Sequence, residues 1–179
     1  LTITSNATST GGIMGSIAGE GCEISGCKVE NTNINTGNES HTGMYGSAAG
    51  IVADAGDLQN ISNCTVKNVE IETSSDNMAG IIGTTFGATI TFDNCNVEDL
   101  TCTDNNTVSA STRLIGGLVG KAGKINVTNS NLSKINLNVL NGKKSTVQIG
   151  GIAANATDST SIDNVNLEGI TINNNTGGT

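Results

Sequence analysis

Residues 62–71 read SNCTVKNVEI, and the chain returns to the same phrase at 93–102 (DNCNVEDLTC), 128–137 (TNSNLSKINL) and 163–172 (DNVNLEGITI). The third position drifts from Cys64 and Cys95 to Ser130 and Val165, while an apolar residue stays two places on. Internal repetition of this kind decides fold class before local propensity does, because each copy is one structural unit that stacks on the next.

Extended in both directions, the phrase belongs to a unit of about 35 residues. Each unit carries a Gly-led apolar tetrad: Gly12-Ile13-Met14-Gly15, Gly50-Ile51-Val52-Ala53, Gly80-Ile81-Ile82-Gly83, Gly117-Leu118-Val119-Gly120 and Gly151-Ile152-Ala153-Ala154. A polar turn follows, then an alternating stretch such as Ile90-Thr91-Phe92 or Ile125-Asn126-Val127, then the phrase with Cys27, Cys64, Cys95, Ser130 and Val165 in register. A second alternating pair closes the unit: Thr32/Ile34, Val69/Ile71, Leu100/Cys102, Ile135/Leu137 and Ile170/Ile172. Alternation with period two means strands. Three short strands per unit, separated by Gly and Asn, describe a three-sided coil that buries its apolar face only by stacking on copies of itself. The expected fold is therefore all-β: a right-handed, single-stranded parallel β-helix of about five three-sided rungs. Residues 1–179 form one such domain, with units at about 12–36, 50–73, 80–103, 117–138 and 151–173.

The composition suits a narrow core. Aromatic residues are 2%, there is no Pro or Trp, and charged residues are 13%, against roughly 25% in an average soluble domain. The 35% hydrophobic set and 24 glycines still supply a core of small aliphatic side chains. A net charge of −8 speaks against nucleic acid, which needs clustered Lys and Arg for its phosphates, and against anionic membrane surfaces. No apolar run reaches the length of a membrane span, so no direct insertion of this segment is expected. The opening LTITSNATST has neither the basic nor the apolar part of a signal peptide. It does match the closing strand of a unit, Ile170–Asn173, so the chain is expected to start in mid-coil as a processed or excised segment of a longer protein. Since solenoids need polar caps, further rungs or a capping domain are expected beside it.

Cys27, Cys64, Cys95, Ser130 and Val165 are expected to point inward as one ladder, where a thiol behaves as a small hydrophobe. Asn63, Asn94, Asn129 and Asn164 precede it, with Gly26 in the same place in the first unit. Asn and Gly tolerate the left-handed backbone of a tight corner, and stacked Asn side chains can bond along the axis. Outside, Glu30, Lys67 and Glu98 form a column of alternating sign.

The tetrads GIMG, GIIG and GLVG resemble the GLUG motif, the Gly-Leu-apolar-Gly repeat of bacterial surface and secreted proteins; GIVA and GIAA depart from it at the last Gly. The resemblance spans nearly the whole chain and describes scaffold. It implies a β-helical cell-surface protein of the kind called adhesins in gut Bacteroidetes, extracellular and either outer-membrane-associated or secreted.

Catalytic constellations are not evident. Glycoside hydrolysis wants two carboxylates at a set separation, and a lyase wants a base with Ca²⁺-holding acids. The outward acids Glu23, Asp93 and Asp163 are interleaved with Asn60, Thr91 and Thr128, and Glu70, Glu72 and Asp76 form a local acidic cluster. Asp54-Ala55-Gly56-Asp57 only faintly resembles a calcium loop. A single His41 excludes a multi-His metal site, and no nucleophile elbow, P-loop or dinucleotide fingerprint is present. No catalytic residue, metal ligand or cofactor is assigned. A flat Thr array of the ice-binding type would need every rung to agree, and the outward pairs Asn33/Asn35, Glu70/Glu72, Thr101/Thr103, Asn136/Asn138 and Thr171/Asn173 do not.

Binding or spacing remains. The connections from the closing strand to the next tetrad vary most, and Leu114/Ile115 and Val147/Ile149 suggest that strand character returns just before each tetrad. Loops on a rigid scaffold are where function tends to sit. Candidate ligand-binding residues are His41 and Tyr45 in the first connection, with Arg113, Lys143 and Lys144 in the equivalent later ones, all expected to project from one edge. Tyr pairs a large apolar face with a hydroxyl and is enriched at binding hot spots. The expected function is an adhesin-like module for an unknown host or microbial surface protein or glycan. The alternatives are a carbohydrate-active β-helix enzyme, lyase or hydrolase, and a passive stalk.

Overall fold

The computed structural model describes residues 1–19, 21–36, 46–56, 60–85, 87–105, 112–140 and 146–175. Every regular element among them is a strand, 21 in all, and every strand pairs in parallel with its equivalent one unit away. The strands form four sheets. Sheet A holds β1 (Thr2–Ser5), β5 (Lys28–Thr36), β9 (Thr65–Thr73), β13 (Asn96–Asp104), β17 (Asn131–Val139) and β21 (Asn166–Asn174). Sheet B holds β2 (Ser9–Gly11), β6 (Ser47–Ala49), β10 (Asn77–Ala79), β14 (Arg113–Gly116) and β18 (Val147–Gly150). Sheet C holds β3 (Met14–Ile17), β7 (Val52–Ala55), β11 (Ile82–Thr84), β15 (Val119–Ala122) and β19 (Ala153–Ala156). Sheet D holds β4 (Glu23–Ser25), β8 (Asn60–Ser62), β12 (Ile90–Asp93), β16 (Ile125–Thr128) and β20 (Thr160–Asp163). The chain is thus a parallel β-solenoid, visiting the sheets in the order B, C, D, A in each unit.

Four strands per unit, rather than three, follow from where the tetrad falls. Its first two residues turn the chain from sheet B to sheet C and its last two open the sheet C strand, so the stretch before it is a separate strand. The leading Gly is required by close approach. A Cβ at Gly50 would lie 2.2 Å from the carbonyl oxygen of Gly80, and one at Gly117 would lie 1.9 Å from that of Gly151. Any side chain there drives a backbone away from its hydrogen-bonded neighbour.

Two columns of left-handed residues set the other corners. Gly26, Asn63, Asn94, Asn129 and Asn164 have φ between 50° and 66° at the turn from sheet D to sheet A. Asn31, Asn68, Asp99, Lys134 and Gly169 have φ between 48° and 64° and bend each nine-residue strand at its fourth residue. This bend lets both halves of the strand turn apolar residues inward.

Inward columns build the core in register. Ile24, Ile61, Phe92 and Val127 stack on sheet D, with Val29, Val66, Val97 and Leu132 and then Ile34, Ile71, Cys102 and Leu137 on sheet A, all buried. Each fully covered aliphatic side chain contributes roughly 1.5–3 kcal/mol. Cys64, Cys95 and Ser130 are buried in the ladder, and Cys27 and Val165 are partly covered at its ends. Each polar member donates to the carbonyl two residues before it: Cys27 to Ser25 at 3.7 Å, Cys64 to Ser62 at 3.3 Å, Cys95 to Asp93 at 3.6 Å and Ser130 to Thr128 at 2.8 Å. A serine hydroxyl makes the same bond as the thiol, which accounts for the Cys-to-Ser drift.

The Asn corner column is a hydrogen-bonded ladder with one interruption. Asn94 donates to Asn63 and Asn164 to Asn129, both at 2.8 Å, but Asn129 turns to the Asp93 carboxylate at 2.9 Å. The Thr128 hydroxyl at 2.6 Å and that amide hold the Asp93 carboxyl below the usual carboxylate range. Further Asn-to-Asn bonds run along the rod from Asn68 to Asn31, Asn131 to Asn96, Asn166 to Asn131 and Asn173 to Asn138. In the outer column Lys67 lies 2.7 Å from Glu98, which lowers the glutamate's pKa and raises the lysine's.

Candidate functional site

The sheet A strands all end, and the sheet B strands all begin, at one corner of the rod. Strand ends Thr36, Thr73, Asp104 and Val139 are in register, as are Ser47, Asn77, Leu114 and Gln148 where sheet B begins. Residues 37–46, 105–112 and 140–146 span this gap in the first, third and fourth units, and only 74–76 span it in the second. Three long connections therefore start and finish side by side. His41, Tyr45, Lys143 and Lys144 lie outside the described residues.

Arg113 does not project from this edge as its position in the sequence suggested. It is buried at the start of β14, where its Nη1 pairs with Asp76 and its Nε lies 3.3 Å from Asp104 Oδ2. The reason is electrostatic and geometric. The planar guanidinium presents five donors in a fixed fork, and two carboxylates shielded from water sit where that fork reaches. Asp104 ends β13 and Arg113 begins β14, so this pair closes the connection 105–112 at its base. Asp76 reaches the same guanidinium from the short turn one unit earlier.

The rest of the base is also hydrogen-bonded. The Thr36 and Thr73 hydroxyls bond to each other inside the corner, and Thr73 also holds the backbone N–H and hydroxyl of Ser75, at 2.9 and 2.8 Å. Asn105 donates to Glu72 at 3.0 Å. The parallel ladder continues into the corner, from Asn105 N–H to Thr73, Leu114 N–H to Asp76, and Arg113 N–H to Thr146.

The outward face of sheet A beside this corner carries two straight columns. One runs Thr2, Asn33, Glu70, Thr101, Asn136, Thr171 and the other Thr4, Asn35, Glu72, Thr103, Asn138, Asn173. The Glu70/Glu72 pair interrupts the neutral array at its third strand, and Asp76 is engaged with Arg113 rather than grouped with these glutamates.

The buried thiols are poor nucleophiles. Burial raises the pKa of Cys64 and of Cys102, and pushes that of Cys95 up to about 12. Asp54, the first residue of the calcium-like stretch, is buried in β7, accepting from the Ser9 hydroxyl with one carboxylate oxygen while the other has no hydrogen-bond partner among the described residues. Asp57 lies outside the described residues. Among the described residues no group of three His, Cys, Asp or Glu side chains is placed to hold a metal ion.

The Arg113 pairing had a signal in the sequence. Alternation through Leu100 and Cys102 carries Asp104 to an inward position, where an acid needs a partner, and Arg113 is the chain's one arginine. Compared with protein-family models, curated proteins and solved structures, the chain matches none.

Proposed function

We propose that this chain is an adhesin-like interaction module of a bacterial surface or secreted protein, which meets its ligand with the connections at the corner between sheets A and B. The observation that carries the reading is the convergence of three long connections on one corner whose base is fastened by the buried Asp76–Arg113–Asp104 group. A rigid scaffold spends little ordering entropy on binding, and variable loops upon it supply specificity. Elsewhere along the rod many outward polar groups bond to their counterparts in adjacent units. The GLUG-like tetrads support the placement on a bacterial surface, and the partner is a surface protein or glycan. Arg113 contributes by holding the corner, and ligand contact falls to His41, Tyr45, Lys143 and Lys144.

A His41→Ala/Tyr45→Ala variant and a Lys143→Ala/Lys144→Ala variant test this on an immobilised glycan array and on a cultured epithelial cell layer. Expected is wild-type attachment to one of these surfaces, reduced about tenfold or more in at least one variant, with melting temperatures unchanged. Attachment equal in both variants, or a wild-type chain that attaches to neither surface, overturns the loop-binding reading in favour of a stalk.

A further inference from the structure

The outward side of the rod is not uniform. On sheet D and on the first half of the long sheet A strands, polar side chains reach to the adjacent unit: Asn60 to Glu23, Ser62 to Ser25, Thr128 to Asp93, Asn131 to Asn96 and Lys67 to Glu98. Beyond the bend the pattern changes. In the two straight columns there, Glu72 accepts from Asn105 and Asn173 donates to Asn138. Asn33, Asn35, Glu70, Thr101, Thr103 and Asn136 have no side-chain hydrogen bond among the described residues, and all six are at least partly open to solvent.

These columns form a strip with a fixed repeat. Equivalent residues recur at the rung spacing of about 4.8 Å, and the columns stand two residues, about 6.6 Å, apart. Glu70 and Glu72 are the only charges in either column. The outward lysine of the same strand, Lys67, is engaged by Glu98. The strip therefore offers hydrogen-bonding groups at every rung, uncompensated negative charge at one rung, and no apolar anchor.

A ligand matched to such a strip is straight, polar along both edges, positively charged, and repeats at nearly the rung spacing. A β-1,4-linked hexose chain advances by nearly one rung per sugar and carries hydroxyls on both edges; amino groups supply the charge. An extended peptide is out of step, because side chains on one of its faces recur at about 6.6–6.8 Å.

We propose that the outer face of sheet A beyond the bend binds a β-1,4-linked amino-hexose chain laid along the rod axis between the two columns. Glu70 and Glu72 receive the ammonium groups at their rung, and Thr and Asn side chains of the adjacent rungs exchange hydrogen bonds with the sugar hydroxyls. Each such bond contributes little by itself, so affinity grows with the number of rungs engaged. The rungs hold these groups in place beforehand, which limits the ordering cost of binding. This surface is separate from the connections at the corner and does not depend on their role.

The test is calorimetric titration of the chain with a chitosan hexamer in mildly acidic buffer, which keeps the sugar amines charged. Cellohexaose serves as the neutral control with the same repeat, and hexalysine as the cationic control with a different one. Expected is binding of the chitosan hexamer about tenfold or more tighter than of either control, and tighter than of the chitosan dimer. Glu70→Gln/Glu72→Gln and Thr101→Val/Thr103→Val should each weaken it about tenfold. Both change only outward positions and keep strand-compatible side chains, so their melting should match wild type. The His41→Ala/Tyr45→Ala variant should bind the hexamer as wild type does. Absence of binding, or a strip variant that binds as well as wild type, overturns the proposal. Equal binding of hexalysine also overturns it, identifying general attraction to an acidic chain, and loss in the His41/Tyr45 variant alone moves the ligand to the corner.

Discussion

Replacing Arg113 with Ala is expected to destabilise the chain by about 3–5 kcal/mol, the usual cost of removing one partner from a buried ion pair. For a chain of this length that lowers the melting temperature by roughly 6–20 °C. The cause is what the substitution leaves behind. Asp76 and Asp104 both face the guanidinium at the corner, and without it two largely buried carboxylates lose the cation that faces them. Arg113→Lys keeps the charge but not the fork that spans both acids, so an intermediate loss is expected. Thermal and urea unfolding of the three proteins measure this. A loss below about 1 kcal/mol for the alanine variant, the level of a surface pair, would mean that the arginine is not fixed inside the rod. Truncating Arg113 is accordingly unsuitable as a probe of ligand contact, because it loosens the corner on which the neighbouring connections are mounted.

Cys64→Asp is the second large effect, and its value lies in comparison with Ser and Val at the same place. Cys64 is fully buried between Cys27 and Cys95, and its thiol already resists ionisation because burial disfavours charge there. A carboxylate at that position faces no cation, so several kcal/mol of stability are expected to go at neutral pH. Its pKa should rise well above the ordinary carboxylate range, and the loss should therefore shrink on acidification as the carboxyl takes up a proton. The sign follows from linkage: the unfolded chain ionises at lower pH than the folded one, so raising the pH favours unfolding through the interval between the two pKa values. Ser keeps the bond to the Ser62 carbonyl, as Ser130 does with Thr128, and Val keeps the packing, as at Val165. Each is expected to cost about 1 kcal/mol or less. Equal damage from Asp and Val in a thermal melt would sink the ladder assignment.

These expectations show which parts of the molecule the residue pattern made legible. The phrase around Cys64 located the sheet A strands and their register, because alternation repeated at a near-constant spacing leaves few ways to bury the apolar face. The Asn63 column was legible for a related reason: Asn and Gly at one repeated position indicate a left-handed backbone. The bend within each nine-residue strand was harder to see. Asn31, Asn68 and Gly169 signal it, but Lys134 occupies the same left-handed place with no intrinsic preference for it, held there by the pairing of adjacent units. The division of each tetrad between two sheets was missed because a Gly followed by three apolar residues reads locally as one buried strand. Only the approach of Gly50 to the Gly80 carbonyl shows that a turn begins there. Arg113 was placed outside for a different reason. Its partner Asp76 lies 37 residues away, and only stacking brings the two together.

Hydrogen bonds between units test the parallel stack most directly, and nuclear magnetic resonance detects them through scalar coupling from an amide nitrogen to the carbonyl carbon that accepts its proton. The stack predicts couplings from Thr65 to Cys27, Asn96 to Cys64, Asn131 to Cys95 and Asn166 to Ser130, across bonds of 2.8, 2.8, 2.9 and 3.0 Å. Each joins one unit to the unit before it, in the same direction along the rod. Couplings that instead join neighbouring strands within a unit, in the reversed order of hairpins, would contradict the parallel solenoid.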